Sequence, residues 1–594
     1  MCGIAGYVGD RDGVSILFDM LKRLEYRGYD SAGVAVADGN GLLVAKDKGK
    51  VDEVRKRALK AWEGKTIETG LGMSHCRWAT HGEPSKRNAH PHPDCSEEFM
   101  VVHNGIIENY QELKRNLIKK GHKFASDTDT EVIPHLIEEF HKTEFETAFT
   151  AAMNKLEGSF AVAAMSSKEP DKILIARKES PLIIGLGKNE NFIASDTPAV
   201  LPETKKVIIL DDFDYGIIKK GSVVVKNLKT GSKIDKKVQT IDWDIKEAEK
   251  EGFEHFMLKE ILEEPQAARN ALKARKDIEK VAKKLAKFRR IYFVACGTAA
   301  YAGLGGKYFL ERFGIPSEAV MGSEFRYSTA QTLDDECAVI TLSQSGETAD
   351  TIACAKEARK KGAYVVSIVN AVGSTLTNLS DDNIYIYAGP EIAVASTKAY
   401  VGKIVILTQL ALFLAREMGR IEGDTFRKIF AELKIVPEKM QEILDNRGEI
   451  QKLAQRMAKK KIFFYIGRRL NYPTALEGAL KIKEISYVHA EAYPAGELKH
   501  GPLALLEEGV PVVAISSPDD LAGKMESNIQ EARARRATIL LVAENGNLKI
   551  PAADPLFSPI LSIVPLHLFA YYVSISKGID PDKPRNLAKS VTVE

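Results

Sequence analysis

The sequence predicts an α+β domain followed by two α/β domains with parallel sheets. Over roughly the first two hundred residues, short β-rich runs and turns alternate with few helical stretches. Beyond residue 255, continuous apolar runs alternate with long helical patterns, which is typical of strands buried on both faces and covered by helices. Two strand-and-turn strings of this second half recur at offsets of 171 and 173 residues, which indicates tandem domains.

The individual elements follow from these local patterns. In the first half the predicted strands cover residues 3–9, 33–37, 99–103 and 160–164, and the predicted helices cover residues 110–120 and 130–140. In the second half the predicted strands cover residues 291–295, 338–342 and 364–369, with a helix over residues 349–360. A charged, strand-poor segment sets the expected boundaries, which are a first domain over 2–220, a linker over 221–254, α/β domains over 255–425 and 426–584, and a tail over 585–594.

Composition excludes several classes of protein. Of the 594 residues, 44% are hydrophobic, and 84 basic against 81 acidic side chains leave a formal charge of only +3. This balance excludes a strongly basic nucleic-acid binder and an acidic disordered chain. No nucleic-acid partner is therefore expected.

The sequence also favours a reducing compartment. Its six cysteines include no CxxC pair, and the first residues show no basic segment followed by a long apolar run. The apolar runs 404–415 and 560–575 are too short to cross a bilayer and are expected to be buried core elements. We therefore expect a cytoplasmic protein with no membrane partner.

Cys2 is the first candidate catalytic residue. A small second residue permits removal of the initiator methionine, which would place the thiol beside a free α-amine. That amine can take the thiol proton directly or through water, and so activate the sulfur for attack on a carbonyl. Taken alone, a cysteine at position 2 is usually incidental, so the interpretation depends on motifs elsewhere in the first domain.

Polar clusters between the β-rich runs strengthen this interpretation. They are residues 26–33 (YRGYDSAG), 75–82 (HCRWATHG), 103–105 (HNG) and 126–131 (SDTDTE). Together with Cys2, and in this order, they resemble the N-terminal-nucleophile glutamine amidotransferase domain over about residues 2–220. The resemblance implies stacked antiparallel sheets between helices. It also implies that Cys2 attacks the side-chain amide of glutamine and releases ammonia.

The resemblance assigns roles to the surrounding residues. Asn104 and the backbone amide of Gly105 resemble the oxyanion hole, whose donors face charge that exists only in the tetrahedral intermediate. Arg77 resembles the clamp on the glutamine α-carboxylate, and Asp129 resembles the partner of the α-ammonium group. The other implied glutamine-binding residues are Thr80, His81 and Arg27, the last in a loop that closes over glutamine in the family.

A metal site is the competing interpretation of one stretch of the first domain. The residues concerned are Cys76, His81, His90, His92 and Cys95. Their spacings fit no zinc template, and the prolines between them suit a rigid loop. No metal and no other cofactor are expected.

Residues 343–348 (SQSGET) indicate an anion site in the second half. The string follows an apolar strand and opens a helical pattern, so its hydroxyls and backbone amides would face an anion at a helix N-terminus. A polar N-cap is the simpler explanation of such strings. Four polar side chains at the carboxyl end of a parallel strand nevertheless favour phosphate.

This string resembles the sugar isomerase (SIS) domain, and the tandem pair resembles the isomerase half of the glucosamine-6-phosphate synthase family. The resemblance covers essentially the whole chain and implies L-glutamine and fructose 6-phosphate as substrates. The implied phosphate ligands are Ser343, Gln344, Ser345 and Thr348, and the sugar pocket is completed by Thr298, Val394 and Ser396. The family usually has serine where this chain has Ala299, so one hydroxyl contact is expected to be lost or replaced.

The sugar chemistry needs three further groups. Ring opening needs an acid/base, imine formation needs an amine, and moving a proton from C1 to C2 needs a carboxylate. By resemblance these groups are His500, Lys589 in the tail, and Glu484. Lys481 lies three residues before Glu484, so it should share its helix face and tune its charge. The domains resemble dimer-forming modules, so a homodimer is expected, in which His500 can come from the neighbouring subunit.

Transfer of ammonia links the two halves. Free ammonia is mostly ammonium at neutral pH, so a dry passage between the two sites is expected. Trp78, next to Arg77, resembles the gate on that passage. A tryptophan beside a binding site often only packs, and that alternative stays open.

Other functions remain as alternatives. A phosphoribosyl-type acceptor domain would show threonines after the strand and acidic pair at 207–212, and an asparagine-synthetase partner would need an SGG-type loop; neither is found. A sugar-phosphate-binding regulator with residual glutaminase activity is the non-enzymatic alternative. Glu484, His500 and Lys589 argue against it, because binding needs no base and no imine-forming amine.

Overall fold

A computed structural model describes residues 2–38, 41–63, 70–241 and 250–592. The chain divides into two compact units. The first unit comprises Met1–Ala248 together with the C-terminal segment Ala588–Glu594, and the second comprises Glu249–Leu587.

The first unit contains two antiparallel sheets. Its strands are β1 (Gly3–Val8), β2 (Ser31–Ala37), β3 (Leu42–Lys48), β4 (Leu71–Arg77), β5 (His92–Pro93), β6 (Phe99–Ile107), β7 (Gly158–Ser166), β8 (Lys172–Lys178), β9 (Ile183–Leu186), β10 (Asn191–Ala194), β11 (Lys206–Ile209), β12 (Asp214–Lys219), β13 (Ser222–Asn227) and β14 (Gln239–Thr240). Its helices are α1 (Gly13–Arg23), α2 (Val51–Ala61), α3 (Tyr110–Lys119), α4 (Val132–Phe140) and α5 (Phe145–Met153). The strand orders are β14-β11-β9-β10-β1-β4-β2-β3 and β13-β12-β8-β7-β6-β5.

Side chains from the two sheets share one apolar core. Ile4 and Met73 of the first sheet pack in the same cluster as Val102 and Ile175 of the second. The opposite face of the first sheet packs with α1 and α2, and that of the second sheet packs with α3, α4 and α5. Two stacked antiparallel sheets between helices therefore form this unit, which confirms the predicted fold class.

The first unit extends beyond the expected end at residue 220. Strand β13 pairs with β12 through a tight hairpin in which Lys219 opposes Ser222, and β14 pairs with β11. Part of the expected linker over 221–254 is therefore sheet. Residues 223–225 are three consecutive valines, which is typical of a strand. Strand β13 lies at the edge of its sheet and is only half buried, so charged residues are tolerated around these valines and the sequence pattern does not indicate a strand.

The second unit contains two parallel sheets of identical strand order. Its strands are β15 (Arg290–Ala295), β16 (Glu318–Met321), β17 (Cys337–Leu342), β18 (Tyr364–Val369), β19 (Asp382–Tyr385), β20 (Ile462–Gly467), β21 (His489–Pro494), β22 (Pro511–Ile515), β23 (Thr538–Ala543) and β24 (Leu548–Lys549). The orders β16-β15-β17-β18-β19 and β21-β20-β22-β23-β24 correspond strand for strand. This correspondence confirms the predicted tandem of α/β domains.

Helices cover these sheets and contribute a continuous apolar core. They are α6 (Phe256–Leu262), α7 (Glu264–Ala271), α8 (Arg275–Leu285), α9 (Gly297–Arg312), α10 (Gly322–Phe325), α11 (Ala349–Lys360), α12 (Thr375–Leu379), α13 (Lys398–Glu417), α14 (Gly423–Leu433), α15 (Val436–Asp445), α16 (Arg447–Met457), α17 (Asn471–Ser486), α18 (Ala522–Arg533) and α19 (Ser558–Ser576). Helices α13 and α19 are long and apolar enough to cross a membrane, but their apolar windows are wholly buried in the unit. Both are buried helices of the core, as the sequence predicts. Each helix is longer than the apolar run that predicts it, which covers residues 404–415 in α13 and 560–575 in α19.

Candidate functional site

Cys2 lies at the start of β1, beside the end of β4. Its Sγ accepts a hydrogen bond of 3.3 Å from the backbone N–H of Trp78, and Arg27 Nε donates to the Cys2 carbonyl at 3.3 Å. Burial raises the pKa of the Cys2 thiol, while the Trp78 N–H and the charge of Arg77 oppose that rise. The thiol therefore needs a base to become a nucleophile, which a free α-amine on the same residue would supply.

Asn104 and Gly105 both lie on β6 next to Cys2. Asn104 Nδ2 donates to the Cys2 carbonyl at 3.1 Å and to Ser195 Oγ at 2.8 Å. His75 Nε2 lies 3.0 Å from Asn104 Oδ1, and burial lowers the pKa of His75 to about 3. The neutral imidazole thus donates to Oδ1 and fixes the amide so that its Nδ2 faces the Cys2 carbonyl and Ser195, which brings one donor beside the nucleophile.

The glycine at position 105 is required by the backbone. Gly105 has φ +122°, and a Cβ atom there would lie 2.1 Å from the carbonyl oxygen of Ser159. A side chain would therefore break the β6–β7 pairing next to the nucleophile.

Arg77 is the last residue of β4, and only part of its guanidinium is hydrogen-bonded. Its Nη2 donates to the carbonyls of His81 and Gly82, whereas its buried Nη1 has no hydrogen-bond partner in the described part of the chain. Burial lowers the pKa of Arg77, but an arginine stays charged. A buried, charged and unpartnered donor beside Cys2 suits the predicted carboxylate clamp.

The other predicted glutamine-binding residues lie around this centre. Asp129 is buried and accepts from the backbone N–H of Ile107 at 2.9 Å. Arg27 pairs with Asp196 at 2.6 Å and is almost wholly buried. The pocket at Cys2 is lined by Cys2, Arg27, Trp78, Thr80, Asn104, Gly105, Ser180, Pro181, Val591 and Thr592.

Several residues of this pocket escape sequence reasoning. Val591 and Thr592 belong to the C-terminal tail, and Ser180 and Pro181 follow β8, so none shares a local motif with Cys2. Lys589 lies in the same tail, two residues before Val591, and groups with the first unit. No periodicity links residues so distant in sequence, which is why the tail's place at this pocket is found only in the fold.

The histidines of the competing metal interpretation pack against one another's rings. His75 and His90 stack with ring centroids 4.0 Å apart, and His90 meets His92 edge-on at 4.7 Å. Burial lowers the pKa of both His90 and His92, so these rings stay neutral. Among the described residues, Cys76, His81, His90 and His92 join no group of metal-ligating atoms, whereas Cys95 belongs to a different group.

In the second unit, the predicted phosphate loop connects β17 to α11. Ser343 Oγ accepts from the Gly346 N–H at 2.9 Å, and Ser345 Oγ accepts from the Glu347 N–H at 3.1 Å. Thr348 is the residue that precedes α11. Gly346 has φ +67°, and a Cβ there would lie 2.0 Å from Ser374 Oγ. The loop thus curls at a helix N-terminus, where anions bind.

Unpartnered hydroxyls lie in the neighbouring segment. The Oγ atoms of Ser396 and Ser374 and the Oγ1 of Thr397 are buried without a hydrogen-bond partner among the described residues. Buried polar atoms are rarely left so, unless a ligand or water satisfies them. The nearby Val394 is buried, and its N–H donates to the Asp582 carbonyl at 3.3 Å. Ser396 is therefore a good candidate for ligand contact.

Thr298, Lys481 and Glu484 form one connected group. Lys481 Nζ lies 2.5 Å from Glu484 Oε2, 3.4 Å from Glu477 Oε1 and 3.1 Å from Thr298 Oγ1. Thr298 in turn donates to Glu477 Oε1 at 3.1 Å. The predicted sharing of one helix face by Lys481 and Glu484 is thus confirmed. Glu477, which sequence reasoning missed, lies one turn earlier on the same face.

Unlike the residues of this group, His500 is exposed to solvent. It follows the short turn Ala495–Lys499 and is exposed, and its backbone N–H donates to the Glu497 carbonyl at 2.9 Å. Its role as the ring-opening residue remains a prediction.

The corresponding loop of the second α/β domain has different chemistry. It follows β22 with Ser516, Ser517 and Pro518, and then places Asp519 and Asp520 where the first domain has Gly346 and Glu347. Asp520 forms a bidentate pair with Arg469 at 2.8 and 2.9 Å. An adjacent pair of carboxylates disfavours phosphate at this loop.

Comparisons with known proteins agree with this arrangement. The family model described as a glutamine amidotransferase domain matches residues 75–202, and the one described as a SIS domain matches residues 284–413 and 456–554. The C-terminal domain of glucosamine-fructose-6-phosphate aminotransferase from Francisella tularensis is 38% identical, with a TM-score of 0.54, and covers 57% of this chain and 100% of its own. Fold and site thus define an amidotransferase joined to tandem sugar isomerase domains.

Full-length relatives identify the family. The glutamine–fructose-6-phosphate aminotransferase (isomerizing) of Thermococcus kodakarensis is 50% identical over 100% of both chains, and that of Pyrococcus horikoshii is 48% identical over 100% of both. The chain belongs to the family of glutamine–fructose-6-phosphate aminotransferases (isomerizing) and is an enzyme.

Proposed function

We propose that the chain converts D-fructose 6-phosphate and L-glutamine into D-glucosamine 6-phosphate and L-glutamate. The observation that carries this proposal is the pairing of two sites in one chain. One unit holds a thiol beside aligned amide donors and a free guanidinium N–H, and the other holds a serine-rich anion loop and a buried lysine–carboxylate group.

In the first unit, Cys2 attacks the side-chain carbonyl carbon of glutamine. The α-amine of Cys2 takes the thiol proton and passes it to the leaving nitrogen, so ammonia departs and a thioester remains. Asn104 and the Gly105 N–H stabilise the oxyanion, and Arg77 holds the α-carboxylate. Water then cleaves the thioester and releases glutamate.

In the second unit, the anion loop binds the phosphate of fructose 6-phosphate. His500 opens the ring, and Lys589 of the C-terminal tail forms an imine at C2 with loss of water. Ammonia displaces the lysine, and Glu484 removes the proton from C1 and returns it to C2, which gives the aldose. The ion pair with the buried Lys481 holds the Glu484 carboxylate in place for this step.

Coupling and assembly complete the proposal. Ammonia travels along a dry passage gated by Trp78, since ammonium in bulk water is a poor nucleophile. We also propose a cytoplasmic homodimer. The exposed position of His500 supports its use by a second subunit, and six free thiols suit a reducing compartment.

Product analysis with the purified protein tests the reaction. Wild type given glutamine and fructose 6-phosphate should form glucosamine 6-phosphate and glutamate in equal amounts. Cys2→Ala should form neither product, yet still interconvert fructose 6-phosphate and glucose 6-phosphate, because proton transfer from C1 to C2 of the open-chain ketose passes through an enediol and needs no ammonia. Binding of the sugar phosphate without any turnover would instead favour the regulator.

The gate has its own test. Fructose 6-phosphate should stimulate glutamine hydrolysis in wild type, and equal hydrolysis rates with and without it in Trp78→Ala would support gating. Unchanged stimulation in that variant would refute it. Trp62→Ala is the matched control, since Trp62 lies in the separate α1–α2 core of the same unit.

A further inference from the structure

Four side chains with metal-binding atoms meet at the edge of the first unit, in a place that the proposed reaction does not use. Cys95 follows β5, His122 follows α3, and His135 and Glu138 lie one turn apart on α4. One ligand atom from each side chain lies within 4.8 Å of every other. Three separate segments of the chain thus converge on one point.

Three of the distances between these atoms are close to those of a tetrahedral zinc site. Cys95 Sγ lies 3.7 Å from His122 Nδ1 and 3.5 Å from His135 Nδ1, and Glu138 Oε2 lies 3.4 Å from His135 Nδ1. Zinc bonds of about 2.0–2.3 Å at tetrahedral angles place neighbouring ligand atoms roughly 3.3–3.6 Å apart. The fourth distance, 2.9 Å between Glu138 Oε2 and His122 Nδ1, needs to open by a few tenths of an ångström.

The outer nitrogens of both histidines point to carboxylates. His122 Nε2 lies 3.3 Å from Glu139 Oε2, and His135 Nε2 lies 3.7 Å from Glu131 Oε1. A metal-bound histidine almost always donates its other N–H to a group of this kind, and that bond fixes the tautomer. His122 has such a bond and so directs an Nδ1 lone pair inward, whereas His135 Nε2 lies just beyond hydrogen-bond distance of Glu131 and has to move a few tenths of an ångström to form one.

Backbone contacts hold the carboxylate next to His135 in place. Glu131 accepts the backbone N–H groups of Ala125 and Ser126, each at 2.6 Å. These two bonds hold the carboxylate behind His135 in place. On the inner side, Cys95 Sγ, Glu138 Oε2 and the Nδ1 atoms of His122 and His135 face one another, so one cation between them would be coordinated by all four.

We propose that Cys95, His122, His135 and Glu138 bind one Zn²⁺ per chain. A thiolate, a carboxylate and two neutral imidazoles balance the +2 charge, and zinc binding displaces the Cys95 proton to solvent. Mixed sulfur, nitrogen and oxygen ligands suit zinc, and four protein ligands leave no open position. The site is therefore structural.

The bound ion would brace the segment that carries Asp129, a predicted glutamine-binding residue. The connection from α3 to α4 runs between His122 and His135 and carries Asp129, whose carboxylate accepts the Ile107 N–H. Fixing both ends of this connection to Cys95 holds Asp129 in place. Zinc is thus expected to raise thermal stability and to lower the KM for glutamine, with little effect on kcat.

The proposal departs from the sequence expectation of no metal. That expectation concerned a cluster of neighbouring residues, of which only Cys95 is a ligand here. His122 and His135 lie 27 and 40 residues beyond Cys95, so no short motif reveals the set.

Metal analysis of the full-length protein tests the site. Protein loaded with Zn²⁺ and freed of excess by gel filtration should carry about one zinc per chain by mass spectrometry. Loading with Co²⁺ should give the intense visible bands of tetrahedral cobalt and a thiolate charge-transfer band in the near ultraviolet. Removal of zinc by a chelator should lower the melting temperature, and added zinc should restore it.

Variants assign the ligands. Cys95→Ser should lose the thiolate band, His122→Gln should lose stoichiometric zinc, and Glu139→Gln should weaken binding by about 10-fold. His141→Gln in the same unit should keep the metal. Cys2→Ser should keep it too, which separates this site from chelation by the catalytic thiol. Because Cys95 is exposed, its replacement by serine leaves the fold intact, which circular dichroism checks.

Two results would overturn the proposal. One is zinc content in loaded wild type no higher than in His122→Gln. The other is a thiolate band that survives Cys95→Ser and disappears in Cys2→Ser. Neither result depends on aminotransferase activity, so the proposal stands or fails independently of the reaction.

Discussion

Lys481 and Glu484 form an ion pair of 2.5 Å one turn apart on α17, with the lysine side chain wholly buried and the glutamate 21% exposed. Burial opposes the charge of Lys481, but Glu477 and Glu484 outweigh it and raise the lysine pKa. The ammonium is therefore permanent and screened from water. Of the two side chains only Glu484 is partly exposed, so its carboxylate is the group that can contact the substrate.

Replacing Lys481 by methionine should disable the sugar chemistry selectively. Removing one partner of a buried charge group leaves Glu477 without its counter-charge and costs about 3–5 kcal/mol of stability. Isomerase kcat should fall on the order of 10²-fold, because Glu484 loses the ion pair that positions its carboxylate. Fructose 6-phosphate to glucose 6-phosphate conversion measures this, and glutamine hydrolysis at Cys2 should continue. Lys483→Met, exposed on the same helix, should alter neither activity.

Arg77→Lys should weaken glutamine binding. Only a guanidinium can keep its contacts to the His81 and Gly82 carbonyls while offering the free Nη1 to a carboxylate. Loss of one charged hydrogen bond is worth about 2 kcal/mol, so the KM for glutamine should rise about 30-fold in steady-state glutaminase assays. Arg87→Lys, an exposed arginine of the same unit, should leave KM unchanged. An unaltered KM in Arg77→Lys would contradict the clamp.

Gly105→Ala should abolish glutaminase activity. The added Cβ would lie 2.1 Å from the Ser159 carbonyl oxygen at a φ of +122°, so β6 must shift beside the oxyanion donors. Gly121→Ala is the matched control, because it shares a positive φ of +101° but has open space around its Cβ. It should cost only about 1 kcal/mol and keep its activity. Equal activities in the two variants would remove the steric argument.

Ser396→Ala should lower affinity for the sugar phosphate without lowering stability. The Ser396 Oγ is buried and without a partner among the described residues, so its loss leaves no protein group unsatisfied. A lost hydrogen bond to substrate of about 1–1.5 kcal/mol should raise the Kd for fructose 6-phosphate roughly 10-fold by calorimetry. Ser486→Ala, whose Oγ bonds the Ile482 carbonyl in its own helix, should leave Kd unchanged. The proposed contact fails if both variants bind alike.

Local patterns predicted much of this molecule. Helix α11 and strand β18 have the predicted bounds, because an unbroken apolar strand and a polar N-terminal cap are both local signals. The tandem repeat and its parallel sheets follow from strings repeated at nearly one offset. The pairing of Lys481 with Glu484 follows from helical spacing alone.

Contacts between distant segments could not be predicted. Edge strand β13 is flanked by charged residues that hide its apolar pattern in the sequence. Val591, near the C-terminal end of the chain, lines the Cys2 pocket. Glu477 is buried beside Lys481, yet a glutamate on a helix normally indicates a solvated face. Each of these depends on packing between segments, about which one sequence carries no periodic signal.

His567 on α19 gives the second unit a pH-dependent stability. Its Nδ1 lies 2.6 Å from Glu264 Oε1 and its Nε2 3.9 Å from Glu477 Oε1, with the ring of Tyr400 edge-on at 6.2 Å. Burial lowers the His567 pKa, but Glu264 and Glu477 outweigh it, and the pKa is raised above 6.5. Burial also raises the pKa of Glu264, opposed by His567.

Both shifts act in the same direction on stability. A histidine with a raised pKa stabilises the folded state fully below pH 6.5, and this stabilisation is lost as pH rises through the raised value. A carboxyl with a raised pKa likewise costs stability as pH rises. The free energy of unfolding of the second unit should therefore fall above pH 6.5, and replacing both partners together, His567→Gln with Glu264→Gln, should remove most of that slope. Urea unfolding at a series of pH values measures the slope, with His255→Gln as the control in the same unit. A wild-type stability that is flat above pH 6.5, or a slope that persists in the double variant, would show that this pair does not carry the pH dependence.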